Sequence, residues 1–266
     1  MIAVCITTYN HEAFIAQAIE SVLAQKCDEP LRIYIGDDAS SDGTAAICKQ
    51  FIKDDERIVY IRRRKNIGLV ANTIDLYQRI MKDGCEFIAM LDGDDYWTDS
   101  HKLQMQLDYL RAHSECDLVH TGAYEEKDGR RTLMNDADIP FGDLSEKYDL
   151  RGARQTNCSV LFRAKLLKEV NLKAIEKQGF PVLDYPLYGL FAQSTSFAYL
   201  PSPTVVWRNH KSVSQPQKIR AFMRYRCERI RMWKWLDQQY PGRFHYSYCS
   251  AIFWYLRHFF TFYLQM

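Results

Sequence analysis

Continuous apolar runs and helically spaced apolar stripes take turns along the first hundred residues. Residues 2–6 form an apolar run of strand length, and Phe14, Ile15, Ala18, Ile19, Val22 and Leu23 then recur at helical spacing within 13–25. The same alternation predicts a strand at 31–35, a helix at 44–53, a strand at 57–62, a helix from about residue 66 to 82 and a strand at 87–91. Strands joined through single helices with short connections form right-handed βαβ units. The predicted class is therefore α/β, Rossmann-like, with a mostly parallel sheet flanked by helices.

Beyond Trp97 the pattern loosens. A helix is expected at 103–113, a strand at 117–122, an extended apolar segment at 157–163 and helices at 166–178 and 185–192. Residues 125–150 are polar and irregular, as in a mobile loop over a site. In the last segment Ile219, Phe222, Met223, Cys227, Ile230 and Trp233 follow helical spacing, and Lys218, Arg220, Arg224, Arg226, Arg229, Arg231 and Lys234 fill much of the remainder. Ile252, Leu256, Phe259 and Tyr263 mark a second amphipathic helix, which Arg257 and His258 disqualify as a membrane span. This divides the chain into an α/β body, 1–215, whose pattern changes at about residue 100, and a basic aromatic helical tail at 216–266.

Charge sharpens that division. The 266 residues carry a formal charge of only +2, yet residues 1–206 hold 24 Lys and Arg against 31 Asp and Glu, and residues 207–266 hold 11 against 2. An acidic body suits a metal; a basic, aromatic tail suits an anionic membrane surface, or packing on the catalytic domain or on a second copy of the chain. Nucleic acid is not an expected partner, since no known binding module accompanies the tail. Eight scattered cysteines lack Cys-x-x-Cys or zinc-like spacing and read as reduced thiols, mostly buried. With no basic leader before the first strand, the expected location is cytoplasmic, with peripheral contact at the inner face of the membrane.

The chemistry concentrates where strands end. Asp92-Gly93-Asp94-Asp95 closes the apolar run before Tyr96 and Trp97. Several carboxylates within a few ångströms are costly unless a hard divalent cation and its phosphates share the site. Ligands of such sheets gather at the carboxyl ends of the strands. Thr7, Tyr9, Asn10, Asp37 and Asp38 lie at other such ends.

Five ordered motifs make the combination recognisable. They are Thr7-Thr8-Tyr9-Asn10, then Asp37-Asp38-Ala39-Ser40-Ser41-Asp42-Gly43-Thr44, then Asn66-Ile67-Gly68-Leu69, then Leu91-Asp92-Gly93-Asp94-Asp95-Tyr96-Trp97, and Trp207-Arg208-Asn209-His210. Over about residues 1–215 the chain resembles the family 2 glycosyltransferases of the GT-A fold. The resemblance implies an inverting transfer of sugar from a nucleotide-sugar, usually a UDP-sugar, to a hydroxyl of a saccharide or lipid-linked saccharide in surface polysaccharide biosynthesis. It implies that Tyr9 stacks on the base, that Asp37 or Asp38 accepts a hydrogen bond from it, and that Thr7, Asn10, Asn66, Gly68, Asp92, Asp94 and Arg208 border the nucleotide-sugar. Mg²⁺ or Mn²⁺ would be held by Asp94, Asp95 and His210.

Asp184 matches the catalytic base, although Leu183 stands where the family carries a second acid. Asp184 also fits a helix cap. Asn157 and Ser159 are candidates for the acceptor side. A dehydrogenase would need Gly-x-Gly-x-x-Gly after the first strand, and residues 7–12 contain no glycine. The remaining alternative is a non-catalytic nucleotide-sugar or membrane-surface binding protein of the same fold.

Overall fold

Strand β1 (Ile2–Thr8) is buried at every position. Its side chains alternate between two cores: Ile2, Val4 and Ile6 join one apolar cluster, Ala3 and Cys5 the other. That period of two places β1 in the middle of a sheet covered on both faces. The computed structural model describes residues 1–134, 142–143, 156–210, 219–245, 248–253 and 255–256.

The elements follow as α1 (Ile15–Leu23), β2 (Leu31–Asp37), α2 (Thr44–Asp54), β3 (Ile58–Arg62), α3 (Leu69–Lys82), β4 (Phe87–Asp92), β5 (Tyr96–Trp97) and α4 (Lys102–Ala112). Then come β6 (Cys116–Lys127), β7 (Arg130–Leu133), β8 (Gly142–Asp143), β9 (Leu161–Arg163), α5 (Leu172–Lys177), α6 (Asp184–Phe191), β10 (Ser196–Arg208) and α7 (Ile219–Gln239). The sheet runs β3-β2-β1-β4-β9-β6-β10-β5. Pairing is parallel from β3 to β4, as expected, and antiparallel where β9 joins β4 and β6.

The second half departs from expectation in three places. The strand expected at 117–122 continues to Lys127 and turns back as β7 through Asp128 and Gly129, both at positive φ. Residues 164–168 are a 3₁₀ turn, followed by the separate helix α5. β10, thirteen residues long, was not anticipated, because Pro201 and Pro203 interrupt its apolar pattern and coincide with shifts in its pairing to β6. Most of the expected loop at 125–150 lies outside the described residues.

Part of the tail packs on the body of the chain, one of the two readings its sequence allowed. Met232, Trp233 and Leu236 of α7, with Phe244 after it, are buried in the same apolar cluster as Leu183, Leu187 and Tyr188. Arg231 donates to the carbonyls of Gln178 and Gly179, and its guanidinium lies 4.8 Å from the Phe180 ring centroid. The later turns of α7 are thus packed on residues 178–188. Phe253 and Leu256 are exposed on the next helical segment; Phe259 and Tyr263 lie outside the described residues. Among the described residues no helix is long and apolar enough to cross a membrane.

Candidate active site

Strand register brings the first motifs together. Thr7 pairs with Gly36 on one side and with Asp92 on the other, and Thr8 pairs with Asp37. Three polar clusters far apart in sequence therefore meet at one sheet edge, at the carboxyl ends of β1, β2 and β4. Tyr9 follows directly, half-buried.

The loops at this edge are tied by side chains to backbone. Asn10, at φ 56°, accepts from the Ser41 N–H at 2.8 Å, and its own N–H donates to Ser40 Oγ at 2.9 Å. Asp38 accepts from the N–H groups of Ile67 and Gly68, both at 2.8 Å, one on each carboxylate oxygen. Asn66 Oδ1 shares the Gly68 N–H at 3.1 Å, and Gly68 enters α3 at φ 88°, a conformation that favours glycine. Asp37 corrects the expectation: it is fully buried, accepting from Ser40 N–H at 2.8 Å and Tyr60 hydroxyl at 2.6 Å. It anchors the loop from below, leaving Asp38 as the carboxylate of the pair beside the Asn66–Gly68 loop.

The Asp cluster divides its labour. A Cβ on Gly93 would stand 2.8 Å from Thr8 Cβ and 3.0 Å from His11 Nδ1, so only glycine lets this turn cross the end of β1. Asp92 accepts from Thr7 Oγ1 at 3.1 Å and from Asn157 Nδ2 at 3.2 Å. Burial, aided by the charge of Asp94, pushes its pKa up to about 6. Asp94 Oδ2 lies 3.0 Å from His210 Nε2 and 3.7 Å from His11 Nε2.

Asp95 and Arg208 sit differently from expectation. Asp95 is 1% exposed and accepts the Arg208 N–H at 2.8 Å; burial, with the charges of Asp94 and Asp92, raises its pKa well above the carboxylate range. A carboxyl held inward against backbone supports the turn that carries Asp94. The Arg208 guanidinium donates to the Asp94 carbonyl at 2.6 Å and to Gln17 and Glu126, with Tyr96 and Phe14 rings at 4.4 and 5.0 Å. It therefore clamps the Asp94 turn through the backbone.

His11 is the residue that sequence reasoning missed. Its one signal was adjacency to Asn10. Burial pushes its pKa down against the pull of Asp94, and its Nδ1 is buried with no hydrogen-bond partner among the described residues. A neutral imidazole of this kind is a metal-competent donor.

Across the cleft, α6 presents Tyr188, whose hydroxyl donates to Asn157 Oδ1 at 2.8 Å, and Asn157 reaches Asp92. Asp184 begins the same helix one turn earlier, half-buried, with Oδ1 accepting the Tyr185 N–H at 2.9 Å. Burial raises its pKa above the ordinary aspartate value. Ser159, by contrast, is buried in the turn before β9, donating to the Thr156 carbonyl, and does not line the cleft.

The residues present fit a divalent cation. Asp94 with His210 and His11 offers one carboxylate and two imidazoles, and the unpaired Thr8 Oγ1 and His11 Nδ1 flank the same turn. Among the described residues no three such side chains close around one point. An incomplete protein shell is what a Mg²⁺ or Mn²⁺ site completed by substrate phosphates requires.

Comparison with known proteins agrees with this geometry. The family described as Glycosyl transferase family 2 matches residues 3–170, more than half of the chain. The uncharacterized protein Rv1520 of Mycobacterium tuberculosis is 32% identical over 212 residues, 76% of this chain and 57% of its own length. The dTDP-rhamnosyl transferase RfbG of Shigella flexneri is 26% identical over 215 residues, covering 77% of this chain and 71% of its own. In Bacillus subtilis the putative teichuronic acid biosynthesis glycosyltransferase TuaG is 32% identical over 122 residues, 46% of each chain.

Among solved structures, TarS 1–349 of S. aureus in complex with UDP-GlcNAc superposes with a TM-score of 0.67 at 14% identity, over 88% of this chain and 65% of that one. The mannosyltransferase PcManGT of Pyrobaculum calidifontis, in complex with GDP-Man and Mn²⁺, gives 0.63 at 15% identity, over 96% and 69%. The chain spans little more than half the length of its mycobacterial relative and about two thirds of the TarS chain. The fold is GT-A, and the chain belongs to glycosyl transferase family 2.

Proposed function

We propose that the chain transfers a sugar from a nucleotide-sugar, a UDP-sugar in the first instance, to a hydroxyl of a saccharide or lipid-linked saccharide, with inversion. The observation that carries this reading is the convergence of Thr7, Asp38, Asp92, Asp94 and His210 at one sheet edge, with Asp184 near enough to Asp92 to raise its pKa. The relatives RfbG and TuaG, named for rhamnosyl transfer and teichuronic acid biosynthesis, support a role in surface polysaccharide assembly.

In the reaction the acceptor oxygen bonds to the anomeric carbon as the bond from that carbon to the diphosphate oxygen breaks. Asp184 takes the hydroxyl proton. Its raised pKa makes it a stronger base than an exposed aspartate. Asp94, His210 and His11 would hold the divalent ion, which offsets the charge developing on the departing nucleoside diphosphate. Asn157, fixed between Tyr188 and Asp92, sets the spacing between the two walls of the cleft. Asp38 holds the Asn66–Gly68 loop beside the nucleotide, with Tyr9 as the stacking face.

Incubation with a panel of UDP-, GDP- and dTDP-sugars and Mn²⁺, with nucleotide release followed, tests the donor. Activity restricted to a GDP- or dTDP-sugar would replace the UDP assignment. Asp184→Asn should keep donor binding and lower transfer by about 10²–10⁴-fold. Near-normal turnover would return Asp184 to a helix-capping role.

A further inference from the structure

We propose that Arg229, from the tail helix α7, is a positioning residue for Asp184, its guanidinium laid on the Tyr185 ring to supply the positive charge facing that carboxylate. The inference rests on the reading of Asp184 as the base.

Two contacts fix the arginine. Its Cζ lies 5.0 Å from the centroid of Tyr185, and Trp233, one helical turn further on, meets the same ring edge-on at 6.1 Å. Residues four apart share a helix face, so the burial of Trp233, only 2% exposed, sets where Arg229 stands. Tyr185 directly follows Asp184 and donates its N–H to that carboxylate. The arginine is therefore held over the first turn of α6 by packing, not by an ion pair that solvent could compete away.

Its hydrogen-bonding capacity is not exhausted by neighbours. The Nε–H is buried and has no hydrogen-bond partner among the described residues. Arg231, two residues on, is by contrast engaged with Gln178, Gly179 and Glu228. Other titratable groups that act on or feel Asp184 are Tyr77 of α3, Asp92 of β4 and Tyr188 of α6 itself. Asp92 is the anion among them, and Arg229 the cation that lowers the Asp184 pKa against burial.

The physical consequence is a balance. Burial favours the protonated form of Asp184, whereas a nearby cation favours the carboxylate. Arg229 thereby makes the tail part of the acceptor-side machinery rather than a handle for another surface.

The test is the titration of Asp184 in the full chain labelled with ¹³Cγ-aspartate, its resonance identified by its loss in Asp184→Asn. Arg229→Met, which keeps an apolar stem on Tyr185, should raise the Asp184 midpoint by about half a pH unit or more. The acidic limb of the transfer profile should move up with it. Arg229→Lys should restore most of the shift, and Arg229→Gln serves as a second neutral variant should the methionine not fold. An unmoved midpoint in a folded neutral variant overturns the inference even if Asp184→Asn abolishes transfer. Full transfer by Asp184→Asn would instead remove the base reading, and with it the claim that Arg229 positions a base.

Discussion

The half of the chain proposed to hold the nucleotide, residues 1–100, and the half proposed for the acceptor, from residue 101 on, are held in shape by different means. In the first hundred residues the loops at the sheet edge are short, and carboxylates lock them to backbone: Asp37 to Ser40, Asp38 to Ile67 and Gly68, Asp42 to Glu12 and Thr44. In the second half, α6 is held mainly by apolar packing against α7, with Tyr188 and Asn157 reaching across to Asp92. The nucleotide half is thus organised before any ligand arrives, whereas the acceptor wall depends on a helix contributed from the far end of the chain. Preorganised hydrogen bonds suit recognition of a nucleotide common to many family members; a packed helical wall is free to differ with the acceptor.

The comparison breaks most visibly at Asp94, the carboxylate proposed to hold the divalent ion. Asp94→Ala removes the carboxylate nearest both His210 and His11. Transfer should fall by about 10³-fold, roughly 4 kcal/mol in the barrier, and titration calorimetry should find nucleotide affinity no longer responsive to Mn²⁺. A variant that binds UDP equally well with and without Mn²⁺ only because the wild type does so too would count against the metal assignment. The fold should persist, since Arg208 holds the Asp94 turn through its carbonyl and not its side chain.

The acceptor half should fail by another route. Trp233→Ala removes a side chain that is 2% exposed and packed against Tyr185 and Phe244. The loss should be about 3 kcal/mol of stability, read as an earlier melting transition by circular dichroism. Nucleotide binding at low temperature should survive in this variant. Equal damage to nucleotide affinity would mean that the two halves are one cooperative unit and that the contrast between them is false.

That contrast also explains what could be read from the sequence. The βαβ alternation of β1 to β4 was legible because each strand is a buried apolar run and each helix an amphipathic stripe, both local signals. The strand-end motifs converged as expected because parallel register leaves no other place for them. What stayed hidden depends on nonlocal packing. β10 carries prolines and a broken pattern, and its existence is decided by pairing with β6 and β5. Nothing near Arg208 signals that it stacks between Tyr96 and Phe14, and no local feature separates Asp95 facing inward from Asp94 facing the cleft. The basic composition of α7 pointed to an anionic surface, yet Trp233 and Leu236 had already committed its apolar side to the protein.

The smallest effect is the one that separates binding from folding within the nucleotide half itself. Asp92 has its pKa raised from 3.8 to about 6 by burial, then by the charge of Asp94. The folded state therefore binds a proton more tightly than the unfolded chain, so this carboxyl's contribution is fully present below about pH 4. It is lost as pH rises through about 6. Asp92→Asn cannot ionise and should flatten that part of the decline, leaving the unliganded variant more stable than the wild type at pH 7 by on the order of 2 kcal/mol. Calorimetric melting of both proteins between pH 4 and 7 reads the difference directly, and because the charge of Asp92 helps raise the Asp95 pKa, the decline due to Asp95 should also be shallower in the variant. A constant gap across that range would show that Asp92 already ionises freely, and that its bonds to Thr7 and Asn157 outweigh its burial.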